Sequence, residues 1–207
     1  MTRPSLLLVG AGGHALACID VIEAEDRFEI QGLIGSASEV GQQRLAHRVV
    51  GTDEDLKRLF RPGANALVCV GQIQSPELKT RLFLQLRELG YQLPAIVSPT
   101  AWVSPHATVG AGSIVMHGAI VNAGAQVGEN CIVNTRALVE HGARVGDHCH
   151  VSTGAILNGD VEVGEGSFIG SGSQLKHGVK LGRRCIVGLG ASVFGNAGDG
   201  ALIKQAG

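Results

Sequence analysis

From Ala101 to about Asn196 an aliphatic residue recurs at every sixth position without insertion: Val103, Val109, Val115, Val121, Val127, Val133, Val139, Val145, Val151, Leu157, Val163, Ile169, Leu175, Leu181, Val187 and Val193. Two residues before each stands a small or compact side chain, from Ala101 and Ala107 through Cys131 and Cys149 to Cys185 and Ala191. Six is not close to a whole number of 3.6-residue turns, so no helix keeps such a stripe on one side. Hexads suit a parallel β-helix, in which each supplies one short strand and a corner, and three strands complete a coil of about eighteen residues. The aliphatic then points into the prism and the small residue lies where walls meet. The glycines Gly110, Gly118, Gly124, Gly128, Gly146, Gly154, Gly164, Gly172 and Gly182 read as corners needing backbone angles closed to most residues.

Before the hexads the pattern changes. Ser5 to Val9 is a continuous apolar run, as in a strand buried on both faces. Gly10-Ala11-Gly12-Gly13-His14-Ala15 follows, then a helical pattern through Ala17, Ile19 and Val21 to Ile22. Strand, glycine turn and helix open a Rossmann-like unit, whose backbone N–H groups approach a phosphate or another polar group closely. The alternative is a tight turn that binds nothing. A second strand is predicted at Glu29 to Ile34. Gly35 and Ser36 then stand where a dinucleotide-binding chain places a ribose-holding acid, which argues against NAD. Gly51-Thr52-Asp53-Glu54-Asp55-Leu56 predicts an N-capped helix to about Phe60. Ala66 to Val70 predicts a buried strand ending at Gly71, Glu77 to Leu89 a helix stopped by Gly90, and Gln92 to Val97 a strand leading to Ser98-Pro99. Two domains are expected: residues 1–97, a small Rossmann-like α/β unit, and residues 98–207, the β-helix.

The 207 residues suffice for two modest domains with real cores. A net charge of -1 without a basic run, and only 3% aromatics, argue against a nucleic-acid partner. No apolar run approaches the roughly 20 residues of a bilayer crossing. No secretory leader is expected either, so the cytoplasm is the expected compartment, without membrane attachment. Cys18, Cys69, Cys131, Cys149 and Cys185 form no C-x-x-C pair or metal spacing and are expected as reduced fillers, Cys131 and Cys149 stacking one coil apart.

Gly-x-Gly-Gly-His near the N-terminus, a strand ending in glycine near residue 70, Ser-Pro-x-Ala-x-Val-Gly at Ser104 to Gly110, and then uninterrupted hexads form a specific order. It resembles that of the hexapeptide-repeat sugar acyltransferases of the sialic acid O-acetyltransferase (NeuD/PglD) type, over nearly the whole chain. The resemblance implies a left-handed β-helix and transfer of acetyl from acetyl-CoA to a sugar amine or hydroxyl, often on a nucleotide-linked 4-amino-4,6-dideoxy sugar. It also implies homotrimers with active sites between subunits.

In Asn134-Thr135-Arg136-Ala137-Leu138-Val139-Glu140-His141, His141 stands two positions after the inward Val139 and so leaves the prism at a corner. An imidazole titrating near 6.5 suits removal of a proton from an attacking amine at neutral pH, with no acyl-enzyme required. A solvated corner histidine is the alternative. The resemblance places the catalytic base at His141 and implies an acid directly after it, where this chain has Gly142. Glu140, directly before the histidine, is expected as its catalytic partner, although neighbouring residues in a strand point to opposite sides; a carboxylate from another coil or subunit, such as Asp147 or Asp160, is the alternative.

The resemblance further implies that His150, facing outward before Val151, contacts acetyl-CoA. It implies that Gly159 offers its N–H to the acetyl carbonyl, a contact worth roughly 3 kcal/mol. Ser171 and the Gly188-Leu189-Gly190 corner would line the pantetheine and adenine groove, with Leu189 where glycine is usual. Gly12, Gly13, His14 and Gly71 would surround the sugar nucleotide. Asn134 either bonds the acceptor sugar or joins an asparagine ladder. Lys176, Lys180, Arg183 and Arg184 either meet the CoA phosphates or form a solvated face.

His141 and His177 fall in one column, two coils or about 10 Å apart by ordinary strand spacing. That is too far for one ion at about 2.1 Å from each nitrogen, so no metal is expected. The expected function is N-acetylation of a nucleotide-linked amino sugar with His141 as general base. O-acetylation of a sialic-acid-like or other sugar is the alternative that Gly35 and Ser36 favour. A non-catalytic trimeric scaffold is the alternative favoured by Gly142 and by a C-terminus lacking a V-G-x-P-A-K-like tail.

Overall fold

The computed structural model describes residues 3–205. Its first part carries a five-stranded sheet of β1 (Ser5–Val9), β2 (Glu29–Ile34), β3 (Gln43–Arg44), β4 (His47–Gly51) and β5 (Asn65–Val68), in the order β3-β4-β2-β1-β5. All neighbours are parallel except the β3–β4 hairpin. Helix α1 (Gly13–Glu25) follows the glycine turn and buries Ala15, Cys18, Ile19 and Ile22. It ends at Asp26, left-handed at φ 55, whose N–H returns to the Ile22 carbonyl.

Three expectations change here. Thr52 and Asp55 do form a capping box, but they open a 3₁₀ turn, Asp53–Asp55, and then a single turn, α2 (Leu56–Leu59). The chain leaves the helix at Phe60, two residues before Pro62. The β3–β4 hairpin is absent from the sequence reading, because Gln43–Arg44 has no strand-forming residue to announce it. The strand expected at Gln92 to Val97 divides. Gln92 bridges to Asn65, then Pro94 interrupts the ladder, and Ile96–Val97 pairs instead with Ile114–Val115. Pairing in the β-helix therefore begins one hexad before Ala101. Helix α3 (Glu77–Glu88) lies between β5 and this point.

The hexads build a left-handed parallel β-helix of three walls. The first holds seven strands from Ile96–Val97 to Leu202–Ile203, the second six from Trp102–Val103 to Ser192–Val193, and the third five from Thr108–Val109 to Lys180–Leu181. Through Val193 the strands pair at a separation of eighteen residues, as Val121 with Val139 and Val139 with Leu157, and the last coil closes at sixteen, Ile186 with Leu202. The inward aliphatics from Val115 to Val193 are at most 5% exposed. Each such Val, Leu or Ile contributes about 1.5–3 kcal/mol by leaving water.

The corner glycines have two different causes. One residue per hexad is left-handed, and Gly118, Gly124, Gly154 and Gly172 serve there, alongside Asn130, Arg136, His148, Asp160 and Arg184. Gly110, Gly128, Gly146, Gly164 and Gly182 do not have such angles. They form a column on the edge between third and first walls, where a Cβ would run into the next coil. On that edge the small residue is Ser or Cys from Ser113 to Cys185, and each donates to the carbonyl of a stacked glycine, as Ser113 to Gly128 at 2.7 Å, Cys131 to Gly146 at 3.1 Å and Cys149 to Gly164 at 3.2 Å. These cysteines are donors as well as fillers.

The α/β unit covers the first wall. Outward Ile114 and Ile132 join Ile19, Ile22 and Phe28 in one apolar cluster. Lys79 of α3, 1% exposed, donates to the carbonyls of Asn130 at 2.6 Å and Cys149 at 3.3 Å. Burial without a carboxylate pushes its pKa down to about 8. Among the described residues no helix is long and apolar enough to cross a membrane.

Candidate active site

His141 stands where the chain turns from the second wall to the third, and its ring is exposed at the edge rather than sealed in the prism. The same column continues through Gly159 to His177, one and two coils on. The two rings lean together over Gly159 until their centroids are 6.3 Å apart, closer than the two-coil backbone spacing of about 10 Å. Gly159 is buried beneath them, and a Cβ there would lie 2.5 Å from His141 Cε1 and 2.9 Å from His177 Nδ1. Its N–H has no hydrogen-bond partner among the described residues.

Glu140 makes no hydrogen bond to the ring among the described residues; its Oε2 accepts the backbone N–H of His141 at 3.0 Å. Asp160 comes nearer than Asp147. Its Oδ1 occupies the space a side chain on Gly142 would take, and its Oδ2 lies 3.6 Å from His177 Nε2. Asp147 is used elsewhere, accepting the N–H of Glu129 at 2.7 Å. The sequence suggests His177 only as a metal ligand, yet its place in His141's column, thirty-six residues on, is legible there. No group of three or more metal-binding side chains occurs among the described residues.

A second cluster lies under the α/β unit. Gly12, Gly13, His14 and Gly71 line one cleft of about 470 Å³ together with Gln72 and His150. His150 faces outward from its strand, and the α/β unit covers it to 7% exposure. Its Nδ1–H donates to the Gln72 carbonyl at 2.7 Å, and its Nε2 accepts from Asn134 Nδ2 at 3.1 Å. Burial dominates, and the ring's pKa falls to about 4. The ring thus borders the cleft of Gly12, Gly13, His14 and Gly71 as a neutral imidazole with both nitrogens engaged within the chain. Asn134 is likewise committed, its Oδ1 accepting the N–H of Thr135 at 2.7 Å. Met116 and Ser152, its neighbours one coil away, exclude an asparagine ladder.

Gln72 Oε1 is buried in this cleft without a partner among the described residues, and so is the Nε2 of His14, the titratable group there still open to a ligand. Burial opposes its charged form, but Cys18, one helical turn on, outweighs burial and raises its pKa. A neighbouring cleft of about 510 Å³ shares Gly10 and Ala11 and is lined by Gly35, Ser36 and Glu39. An acid missing at Gly35 and Ser36 thus arrives from a later turn. Glu39 accepts the N–H and Oγ–H of Ser36 at 2.9 and 2.8 Å and pairs with Arg44 at 2.8 Å. No periodicity or spacing announced it.

Ser171 and Gly188-Leu189-Gly190 occupy the edge between first and second walls, across the second wall from His141. Ser171 bonds Ser152 at 2.8 Å, and Leu189 is 72% exposed. The four basic residues do not form one patch. Lys180 pairs with Glu162, Arg184 with Glu77, and Arg183 lines a separate cleft beside Glu165 and Asp199. Lys176 alone shares the corner of His177. Within one chain, then, the sugar-side cleft and His141 lie on different edges of the prism.

Residues 5–81 match the model of the PglD N-terminal domain, and residues 160–195 match bacterial transferase hexapeptide repeats. Comparison with curated proteins gives no match. Among solved structures, the chain is similar to the acetyltransferase domain of PglB from Neisseria gonorrhoeae FA1090, which also has a complex with acetyl coenzyme A. That match has a TM-score of 0.88 and 29% identity over 96% of this chain and 95% of the other. PerB from Caulobacter crescentus, in complex with CoA and GDP-perosamine, matches at TM-score 0.88 and 32% identity over 96% and 92%. A variant of perosamine N-acetyltransferase from that organism, with the same two ligands, matches at 0.88 and 31% over the same shares.

Proposed function

We propose N-acetylation of a nucleotide-linked amino sugar, from the premise that this chain belongs to the hexapeptide-repeat sugar acetyltransferases of the PglD/NeuD type. It is a sugar acetyltransferase whose donor is acetyl-CoA. The acceptor in this reading is the amine of a 4-amino-4,6-dideoxy sugar carried on a nucleotide. Likeness to an N-acetyltransferase holding GDP-perosamine supports that choice.

His141 acts as general base, removing a proton as the amine nitrogen attacks the thioester carbonyl. The unpartnered N–H of Gly159 steadies the oxyanion that develops there. Carbon–nitrogen bond formation is followed by carbon–sulfur cleavage, and the sulfur leaves as a thiol with the proton His141 took. The observation that carries the reading is the exposed His141 ring at an edge, above a glycine whose donor is free. That ring lies away from its own chain's sugar-side cleft, so the acceptor comes from a neighbouring subunit of a trimer. The second wall offers the surface for it: Trp102 and Ile120 are 58% and 38% exposed, and Leu138 and Ile156 extend the same apolar stripe. Thiol release from acetyl-CoA against nucleotide-linked amino sugars and free sialic acids tests the proposal. Release with the amines supports it, and release with hydroxyl acceptors alone overturns it.

A further inference from the structure

We infer that His177 is a second substrate-binding histidine of this site, accepting the N–H of the acceptor amine that His141 does not remove. The inference rests on the reading of His141 as base. A point at the Cβ position of Gly159 lies 2.7 Å from His141 Nε2 and 2.9 Å from His177 Nδ1, so both nitrogens border the space that the glycine leaves open. That is a spacing one small polar atom bridges.

The Asp160 carboxylate, 3.6 Å from His177 Nε2, favours the tautomer with its proton on that nitrogen. Nδ1 is thereby left as an acceptor turned toward the gap. Asp160 itself is left-handed at φ 57, a conformation that aspartate tolerates better than most residues, and its backbone N–H is fixed on the His141 carbonyl at 3.0 Å. The coil geometry thus fixes the Asp160 backbone where its carboxylate reaches His177.

Two acceptors match an amine better than a hydroxyl. A hydroxyl has one hydrogen, and the base takes it. A neutral amine has two: one passes to His141 and then to the departing thiolate, and the other stays on nitrogen in the amide product. That remaining N–H needs an acceptor throughout attack, when nitrogen becomes positive and its hydrogens bind most strongly. His177 Nδ1 supplies one.

The test compares His177→Ala, His177→Leu and His177→Gln with the native trimer, using acetyl-CoA and a nucleotide-linked amino sugar. The His177 side chain is 64% exposed, so its replacement leaves the fold intact. Alanine and leucine are expected to lower kcat/KM for the amine roughly 10- to 100-fold, in proportion to a lost hydrogen bond to a charged group, with the KM for acetyl-CoA unchanged. Glutamine, whose Oε1 accepts, restores the rate to within a few-fold. An alanine variant within twofold of native, or glutamine no better than leucine, overturns the inference while leaving the His141 reading standing. If the native protein acetylates no amine, both fall.

Discussion

The first and second walls of the β-helix share one backbone, one spacing and one set of inward aliphatics, yet their outer faces have different fates. On the first wall the outward residues Ile114, Ile132 and His150 are buried beneath the α/β unit. On the second, Trp102 and Ile120 stand open, and His141 follows at the far edge. One outward residue per hexad therefore decides whether a wall is an internal interface, an exposed apolar stripe or, like the third wall with Gln126, Arg144 and Lys180, a polar exterior. Two histidines nine residues apart show the consequence. His150 has one nitrogen on Gln72 of the α/β unit and the other on Asn134 of its own β-helix, and His141 has its ring exposed.

The sharpest way to break this contrast is His141→Ala, expected to lower acetyl transfer roughly 10³-fold, about 4 kcal/mol of barrier, with an unchanged Tm. Turnover near the native level would remove His141 from the mechanism. Next comes Ile120→Asp. A carboxylate on the apolar stripe costs each subunit interface about 3 kcal/mol or more in lost burial and desolvation, so sedimentation should find folded monomers with little activity. A stable trimer would mean that the second wall is not the assembly surface.

Acid tests the first wall. The folded protein keeps His150 neutral to about pH 4, whereas the unfolded chain protonates it near 6.5. Between those values the unfolded state carries more protons, so stability falls as pH drops through this window, by up to about 3 kcal/mol. Urea titrations at pH 6.5 and 4 on the native protein and on His150→Gln measure it. Glutamine can donate to Gln72 and accept from Asn134, and it should lose less on acidification. Equal losses in both proteins would show that His150 does not govern the docked first wall.

The hexads made the β-helix legible because a period of six has one simple solution, and it placed His141 on an edge by counting from Val139. The strand and helix spans of the α/β unit followed from apolar runs and glycine punctuation. What stayed hidden was everything decided by packing between distant segments. Nothing near His150 in sequence says that α1 and Gln72 will close over it. Nothing near Gly35 says that Glu39 and Arg44 will fold back to supply an acid. Side-chain direction was hidden as well: strand spacing fixes Cα positions, but not the lean of His141 and His177 over a glycine.

A smaller effect probes the edges between walls. Ser113 is buried on the third-to-first edge, where its Oγ donates to the Gly128 carbonyl at 2.7 Å and accepts the Cys131 N–H at 2.8 Å. Ser167 repeats the arrangement with Gly182 and Cys185 at 3.2 and 3.0 Å. Glycine must stand at the stacked positions because coils approach too closely for a side chain, and the hydroxyl fastens each coil to the next where no wall strand does so. Ala119 and Ala137, at the equivalent place between first and second walls, have no side-chain donor to lose. Ser113→Ala should therefore cost about 1–2 kcal/mol, since it leaves a buried N–H and a carbonyl short of a partner. Ser113→Cys, which keeps a donor that Cys131 and Cys149 already use, should cost less than half as much. Both differences are read from urea midpoints at unchanged slope. If alanine and cysteine prove equally mild, close coil stacking alone holds this edge, and the recurrence of Ser and Cys there reflects their size rather than their hydrogen bonds.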